Sequence, residues 1–480
     1  MGGTVTWTGN TNTVWSTAGN WSAGAGGTAP PASDDDVIIP NVTNDPVLDA
    51  DDTINSLVIS SGGNFDGNGN ELTIGGENHN DLGGYAVNID GIITGTDTDI
   101  TIVTQATTNV DIEATSGAIR NLTINHASCT AKLASTTSIT GDLTITAGTL
   151  NTDGDEALTV TKHIDITGTL TGNASAISTG TMTIRDGATL TSTGTITVTG
   201  NDKANSPAGA SWIWRNYETD GTAFAPSAGK VHFLGSACNG GYCMESRFYE
   251  LEVEITGGGD IQWLDSDNNT LTISDDLTVA EGLWQRNGLS DTLTVTGDVS
   301  IEDGGTLGRS NATGANNFGS LTIASGGQYS ATSGTTTLTS NTGTGTRSFY
   351  NNGGTFTHNK GKVKCTTSAG TNYAFDEDPL YDLEINHGGA TIKFDGASNE
   401  PVTILNDFDI VVGKVRNNGT GSPWTVHGNV FIRGSSKWIT QGATTNIKGT
   451  LTVENGAEYD AANEGSGSSG TLNVGGIRVL

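Results

Sequence analysis

Basic residues are scarce in this chain. Lysine and arginine number 21 against 52 aspartates and glutamates, which leaves a net charge of −31 over 480 residues. A surface so acidic repels phosphate backbones, so nucleic acid is not an expected partner. Proline numbers 9, and no Pro/Ser-rich linker separates one region from the next. Methionine numbers 3, and Ala, Leu, Glu and Lys never cluster at helical spacing, which excludes bundles, coiled coils and most α/β enzymes. No apolar run approaches the ~20 residues of a membrane helix, so no membrane insertion is expected. The opening lacks a basic stretch followed by an apolar one, so no signal peptide is expected. Cysteine numbers only 4, with no zinc-type spacing. Cys129 and Cys365 stand in strand-like apolar contexts and read as buried thiols. Cys238 and Cys243 flank Asn-Gly-Gly-Tyr, a loop short enough to close as a disulfide.

What the chain has instead is a short phrase of strict period two. Leu72-Thr73-Ile74, Leu122-Thr123-Ile124, Leu143-Thr144-Ile145, Leu271-Thr272-Ile273, Leu293-Thr294-Val295 and Leu451-Thr452-Val453 all alternate apolar, threonine, apolar. Alternation of this kind is a strand with one buried face. The β-branched Thr suits the solvated face. Gly, Asn and Asp bound each strand and supply turns at intervals of about ten residues.

A longer repeat chooses among the all-β architectures. Gly229-Lys230-Val231 returns as Gly361-Lys362-Val363, and Asp298-Val299-Ser300-Ile301 as Asn429-Val430-Phe431-Ile432, at an offset of 131–132 residues. Asn121-Leu122-Thr123-Ile124-Asn125-His126 resembles Asp382-Leu383-Glu384-Ile385-Asn386-His387 at 261, about twice that period. A unit of about 130 residues therefore recurs about three times, over 96–195, 228–331 and 360–461. The strand phrases run unbroken across the junctions. Coils that bury their apolar rows only by stacking on one another explain both facts. The expected fold is an all-β, right-handed, single-stranded parallel β-helix over residues 51–480. Residues 1–50 differ, with Trp7, Trp15 and Trp21 close together, and are expected to cap or attach the first coil.

Candidate sites are few. Trp212, Trp214 and Tyr217 follow period two, which puts the two tryptophans on one face as a contact for glycans or a neighbouring subunit, or else as a plug in the core. Paired acids occur at Asp34-Asp35-Asp36, at Asp49 with Asp51-Asp52, at Asp153 with Asp155-Glu156, and at Asp265 with Asp267. Two facing carboxylates are the equipment of glycoside hydrolysis. Here each pair lies in a Gly/Asn-rich turn, where Asp serves turn geometry. The oxygen-rich loops at 66–71 and 151–156 are candidates for Ca²⁺ but match no calcium-binding spacing. Neither a catalytic residue, a bound metal nor a cofactor is expected.

The opening Trp-Thr-Gly…Asn-Trp-Ser…Asp-Asp-Val-Ile-Ile-Pro resembles the start of many β-helical surface and virion proteins. Gly354-Thr355-Phe356-Thr357-His358-Asn359-Lys360-Gly361-Lys362-Val363 and Leu380-Tyr381-Asp382-Leu383-Glu384-Ile385-Asn386-His387 resemble phrases of β-solenoid structural proteins of marine tailed phages and of secreted bacterial adhesins. The resemblance implies a non-enzymatic virion fibre, spike or decoration protein. Its implied partners are other virion or surface subunits, a homotrimer of its own kind, and host-surface polysaccharide. A secreted bacterial or archaeal adhesin or filament subunit is the alternative, and a β-helical polysaccharide depolymerase the second. The expected location is the virion surface, or the cell exterior under the alternative.

Overall fold

A computed structural model describes residues 2–76, 84–94, 98–103, 110–113, 119–217, 224, 228–245, 247–264, 270–340, 343, 347–367, 371–375, 378–394, 401–417, 423–461 and 470–480. The chain divides into two units, Met1–Met244 and Glu245–Leu480. Each is a parallel β-solenoid, and among the described residues helix is confined to single 3-10 turns. Among the described residues no helix is long and apolar enough to cross a membrane.

In the N-terminal unit the apolar–Thr–apolar phrases stack in register. Leu72, Ile100, Leu122, Leu143, Ile164 and Met182 form one inward column. All six are at most 1% exposed. Full burial of a side chain of this size contributes about 1.5–3 kcal/mol, so the column is the dominant stabilising feature of its wall. Thr73, Thr101, Thr123, Thr144, Asp165 and Thr183 form the matching outward column. Two further walls close each coil. One carries Leu150, Leu170 and Leu190 inward, and the other Ile139, Val160, Thr179 and Val198.

The three early tryptophans cover the first coil. Trp21 packs edge-on between Trp7 and Trp15, at 4.8 and 4.7 Å between ring centroids. Each indole N–H is satisfied: Trp7 donates to the Asn44 carbonyl (2.7 Å), Trp15 to Asp52 (2.5 Å) and Trp21 to the Trp15 carbonyl (2.7 Å). The strand Thr4–Trp7 pairs antiparallel with Trp21–Ala23 and parallel with Asp36–Ile39. A local hairpin thus occupies the raw edge that a first coil would present.

The C-terminal unit has its own inward column: Leu271, Leu293, Asn316, Thr336, Val363, Leu383, Phe408, Val430 and Leu451. Its core differs from the aliphatic one in being aromatic. Ring contacts of 4.8–6.0 Å lead from Phe318 through Tyr329, Phe356, Phe349, Phe375, Phe394 and Trp424 to Trp438 and Tyr459. Where Asn316 and Thr336 interrupt the apolar column, a buried polar group fills the space. Arg286 donates to the Asp291 carbonyl and to Asn316 Oδ1, Asn316 Nδ2 donates to the Tyr329 hydroxyl (2.7 Å), and that hydroxyl meets Thr336 (3.0 Å).

A side-chain ladder holds successive coils at one corner. Asp298 N donates to Asp276 (2.7 Å), and Ser320 Oγ to Asp298 (2.7 Å). Asp407 N donates to Asp382 (3.0 Å), Asn429 N to Asp407 (2.7 Å), and Thr450 N to Asn429 (3.1 Å). The N-terminal unit repeats the device with Asn121, Asp142 and His163. The residue before the ladder position is often Gly, and close approach requires it. A Cβ on Gly297 would lie 2.3 Å from Asp276 Oδ1, and one on Gly428 2.4 Å from Asp407 Oδ1.

Candidate functional site

The sequence places its aromatic candidates on the strand Trp212–Asn216, which stacks on Ile177–Ile184 with Met182 opposite Trp214. Period two fails here. Against its other neighbour, Trp212 pairs with Tyr242 and Trp214 with Cys243, so Ile213 is one residue extra. The bulge turns Ile213 and Trp214 inward together, both 0% exposed. Trp214 is therefore a core residue, 5.2 Å from the Phe224 ring, and not a surface contact. Trp212 and Tyr217 remain half-exposed on the wall.

The same bulge brings Arg215 outward between them. Its guanidinium lies 4.5 Å from the Trp212 ring centroid and 4.2 Å from that of Tyr217. It donates to the Ala208 carbonyl at 2.8 Å. Arg185 lies 5.2 Å from the Tyr217 ring centroid and grips Asp165 with two bonds of 2.7 Å. That pairing, despite burial, holds the Arg185 pKa above its ordinary value. Tyr242 flanks Trp212 at 5.5 Å. Tyr242, Trp212, Arg215, Tyr217, Arg185 and Asp165 thus form one continuous row of rings and charges. Sequence reasoning missed Tyr242, Arg215 and Arg185. The one available signal was the Arg215-x-Tyr217 spacing.

Cys238 and Cys243 are buried thiols with no disulfide between them, so the possible disulfide is not formed. The Cys238 thiol donates to the Val198 carbonyl at 3.3 Å, and burial pushes its pKa up to about 12. It points into the wall and not across the loop.

The paired acids serve backbone geometry. Asp35 accepts from Gly3 N, Thr28 N, Thr28 Oγ1 and Ala32 N at 2.8–3.0 Å. Burial acts to raise its pKa, but these four donors outweigh it and hold the carboxyl below its ordinary value. Asp36 accepts from Asn55 and Ser56 at 2.7 Å. Asp49 takes Ser16 N and Oγ, and Asp51 takes Glu71 N. Asp51, Asp52 and Glu71 line an open cleft of about 410 Å³. In the loop 151–156, Asn151 accepts from Asp153 N at 2.8 Å, and Asp153 meets Lys132 at 3.3 Å. In the loop 66–71, Asp66 accepts from Asn68 N at 2.9 Å. Asp265 and Asp267 lie outside the described residues.

A second surface feature lies on the C-terminal unit. Lys362, Asp382, Asn406, Asp407, Asp409, Phe431 and Arg433 line a groove of about 240 Å³. Among its lining acids Asp382 and Asp407 accept N–H groups of the next coil, and ion pairs involve Asp409 and the neighbouring Glu384. Glu384 receives Lys362 at 2.8 Å and Lys364 at 2.9 Å, and Asp409 receives Arg433 through two bonds of 2.8 and 3.0 Å. Burial acts to raise the Glu384 pKa, but the two lysines overcome it and lower the pKa. A carboxylate held ionised this way is poorly suited to donate a proton.

No family model, curated protein or solved structure matches the chain.

Proposed function

We propose that the chain is a structural, non-enzymatic surface protein of the virion fibre, spike or decoration kind. In this reading it contacts host-surface polysaccharide through the row on its N-terminal unit. The observation that carries the reading is the outward series Tyr242, Trp212, Arg215, Tyr217 and Arg185. Half-exposed ring faces suit the C–H faces of sugars, and the guanidiniums and Asp165 supply partners for hydroxyl and acidic groups. Two of the chain's few cations, Arg215 and Arg185, lie beside aromatic rings in this row. The mixed-charge groove supports a passive role as well, because its ion pairs staple adjacent coils.

The test is a glycan array followed by calorimetry on the retained sugar. Trp212→Ala is expected to weaken binding about tenfold, the equivalent of ~1.4 kcal/mol. Its unfolding midpoint should stay unchanged, because Trp212 is only half-buried. A wild-type protein that retains no glycan, or a Trp212→Ala protein that binds as well, refutes the reading. Antibody labelling of particles against cell envelopes separates the virion assignment from the adhesin or filament alternative. Release of oligosaccharides from a bound capsule would replace both with a depolymerase.

A further inference from the structure

We propose that Arg215 makes the row on the N-terminal unit selective for acidic glycans, which rests on the glycan-binding reading and narrows it to one ligand class. The N-terminal unit has three arginines, Arg120, Arg185 and Arg215. Arg120 reaches Asp99 at 4.0 Å and Arg185 reaches Asp165 at 2.7 Å. Arg215 meets no carboxylate among the described residues. Its partners are the Ala208 carbonyl, 2.8 Å from Nη1, and the rings of Trp212 and Tyr217. A guanidinium carries more N–H donors than this one bond uses. Nε is buried and has no hydrogen-bond partner among the described residues. Nη2 also has none, and it keeps contact with solvent. Nη2 and the second N–H of Nη1 therefore form the edge that a ligand can reach.

The surroundings decide what charge that edge prefers. Arg185 and Asp165 neutralise each other through two bonds of 2.7 Å. The row is left with one uncompensated positive charge, that of Arg215. A sugar hydroxyl can accept from its edge, but an anionic oxygen does so with roughly twice the strength. The guanidinium lies 4.5 Å from the Trp212 centroid and 4.2 Å from that of Tyr217. The two rings shield it from water and hold it in place. Both effects favour an ion pair, because the local dielectric falls and little side-chain entropy is lost when the pair forms. The net charge of −31 repels a densely charged polymer. It bears little on one isolated acid group, because exposed charges beyond about 8 Å are largely screened at physiological salt. The ligand class that fits is a mostly neutral polysaccharide with isolated carboxylate or sulfate groups. Either group offers Arg215 a pair of anionic oxygens, and the assay separates the two.

The test uses the intact chain on an array of matched pairs. Each pair is a glycan with one carboxylate or one sulfate beside its uncharged parent. The acidic member should be held about tenfold more tightly than its parent, as read by calorimetry on the retained pairs. Preference within the carboxylate pairs or within the sulfate pairs identifies the acid. Arg215→Gln keeps an amide N–H for the Ala208 carbonyl but removes the charge. It should bind both members of a pair within about twofold of each other. Asp165→Asn releases Arg185 from its ion pair and should tighten the acidic member severalfold, a gain that a damaged fold does not imitate. The matched pairs and Asp165→Asn decide the question even if Arg215→Gln does not fold. Three results overturn the acidic selectivity and leave glycan binding standing: equal retention of both members by the wild type, a folded Arg215→Gln protein that keeps the preference, or an Asp165→Asn protein that binds the acidic member more weakly. Retention of no glycan at all overturns both.

Discussion

Trp424 offers the sharpest test of the aromatic core. Its side chain is 0% exposed and touches Phe394 at 4.8 Å, Trp438 at 5.2 Å and Phe408 at 5.5 Å. Replacing it with Ala removes the ring from a site whose walls are parallel strands fixed by their hydrogen bonds. Collapse is therefore limited, and the loss should reach the upper range for large-to-small changes, about 3–5 kcal/mol. Trp424→Phe is a different perturbation. Among the described residues the Trp424 indole N–H has no hydrogen-bond partner although it is buried. An unsatisfied buried donor costs about 1–3 kcal/mol, so removing it offsets much of the lost ring area. Trp424→Phe should therefore stay within about 1 kcal/mol of the wild type. For a unit of this size 1 kcal/mol corresponds to about 2–4 °C, which gives Trp424→Ala a fall of roughly 6–20 °C in the transition of the C-terminal unit. Scanning calorimetry reads the midpoints. Hydrogen exchange locates the damage, which should fall in the strands Phe408–Asn417 and Lys437–Ile439 and spare the N-terminal unit. A Trp424→Ala shift below about 2 °C, or a Trp424→Phe protein as unstable as Trp424→Ala, would refute the reasoning.

Two further outcomes follow from the corner ladder. Burial lowers the His163 pKa below 6.5, and the nearby Asp142 and Asp202 offset only part of that effect. The unfolded chain then binds the proton more tightly. Stability should rise with pH up to about 6.5 and fall as pH drops below it, and His163→Gln should flatten that slope in urea titrations between pH 5 and 7. Gly428→Ala would place a Cβ 2.4 Å from Asp407 Oδ1 and 2.5 Å from the Asn406 carbonyl, so it should cost about 1–3 kcal/mol. Asp407→Asn keeps an oxygen acceptor for Asn429 N and should cost far less; equal losses in denaturant melts would discredit the ladder.

The alternation within each strand was legible, because a strand's period is a property of its own residues. Leu143, Thr144 and Ile145 declare their faces without reference to any neighbour, and the stacked columns follow once parallel coils are assumed. The tryptophan cap was legible for the same reason, since Trp7, Trp15 and Trp21 are close in sequence. What one strand cannot declare is which residue lies above it. The partners in the ladder are 21–25 residues apart, and Arg433 reaches Asp409 across 24. Coil length sets such pairings, and it varies. Asp142, Asp298 and Asp407 therefore read as turn residues, although the next coil's backbone or side chain depends on their oxygens. The aromatic spine was hidden likewise, because its rings come from successive coils.

The row on the N-terminal unit shows where this ignorance matters most. Leu143 lies opposite Ile164 and Ile164 opposite Met182, at spacings of 21 and 18 residues, but Met182 lies opposite Trp214 at 32. The long coil ends in the bulge that reverses the phase of the strand, sends Trp214 inward and frees Arg215. A regular coil leaves no such freedom, since every inward position must continue its column and every outward position must fit between threonines. A repeat protein acquires distinctive chemistry where a coil departs from the repeat, and those are the coils that period two describes worst. The failure of alternation at Ile213 and Trp214 is thus itself a pointer to the site.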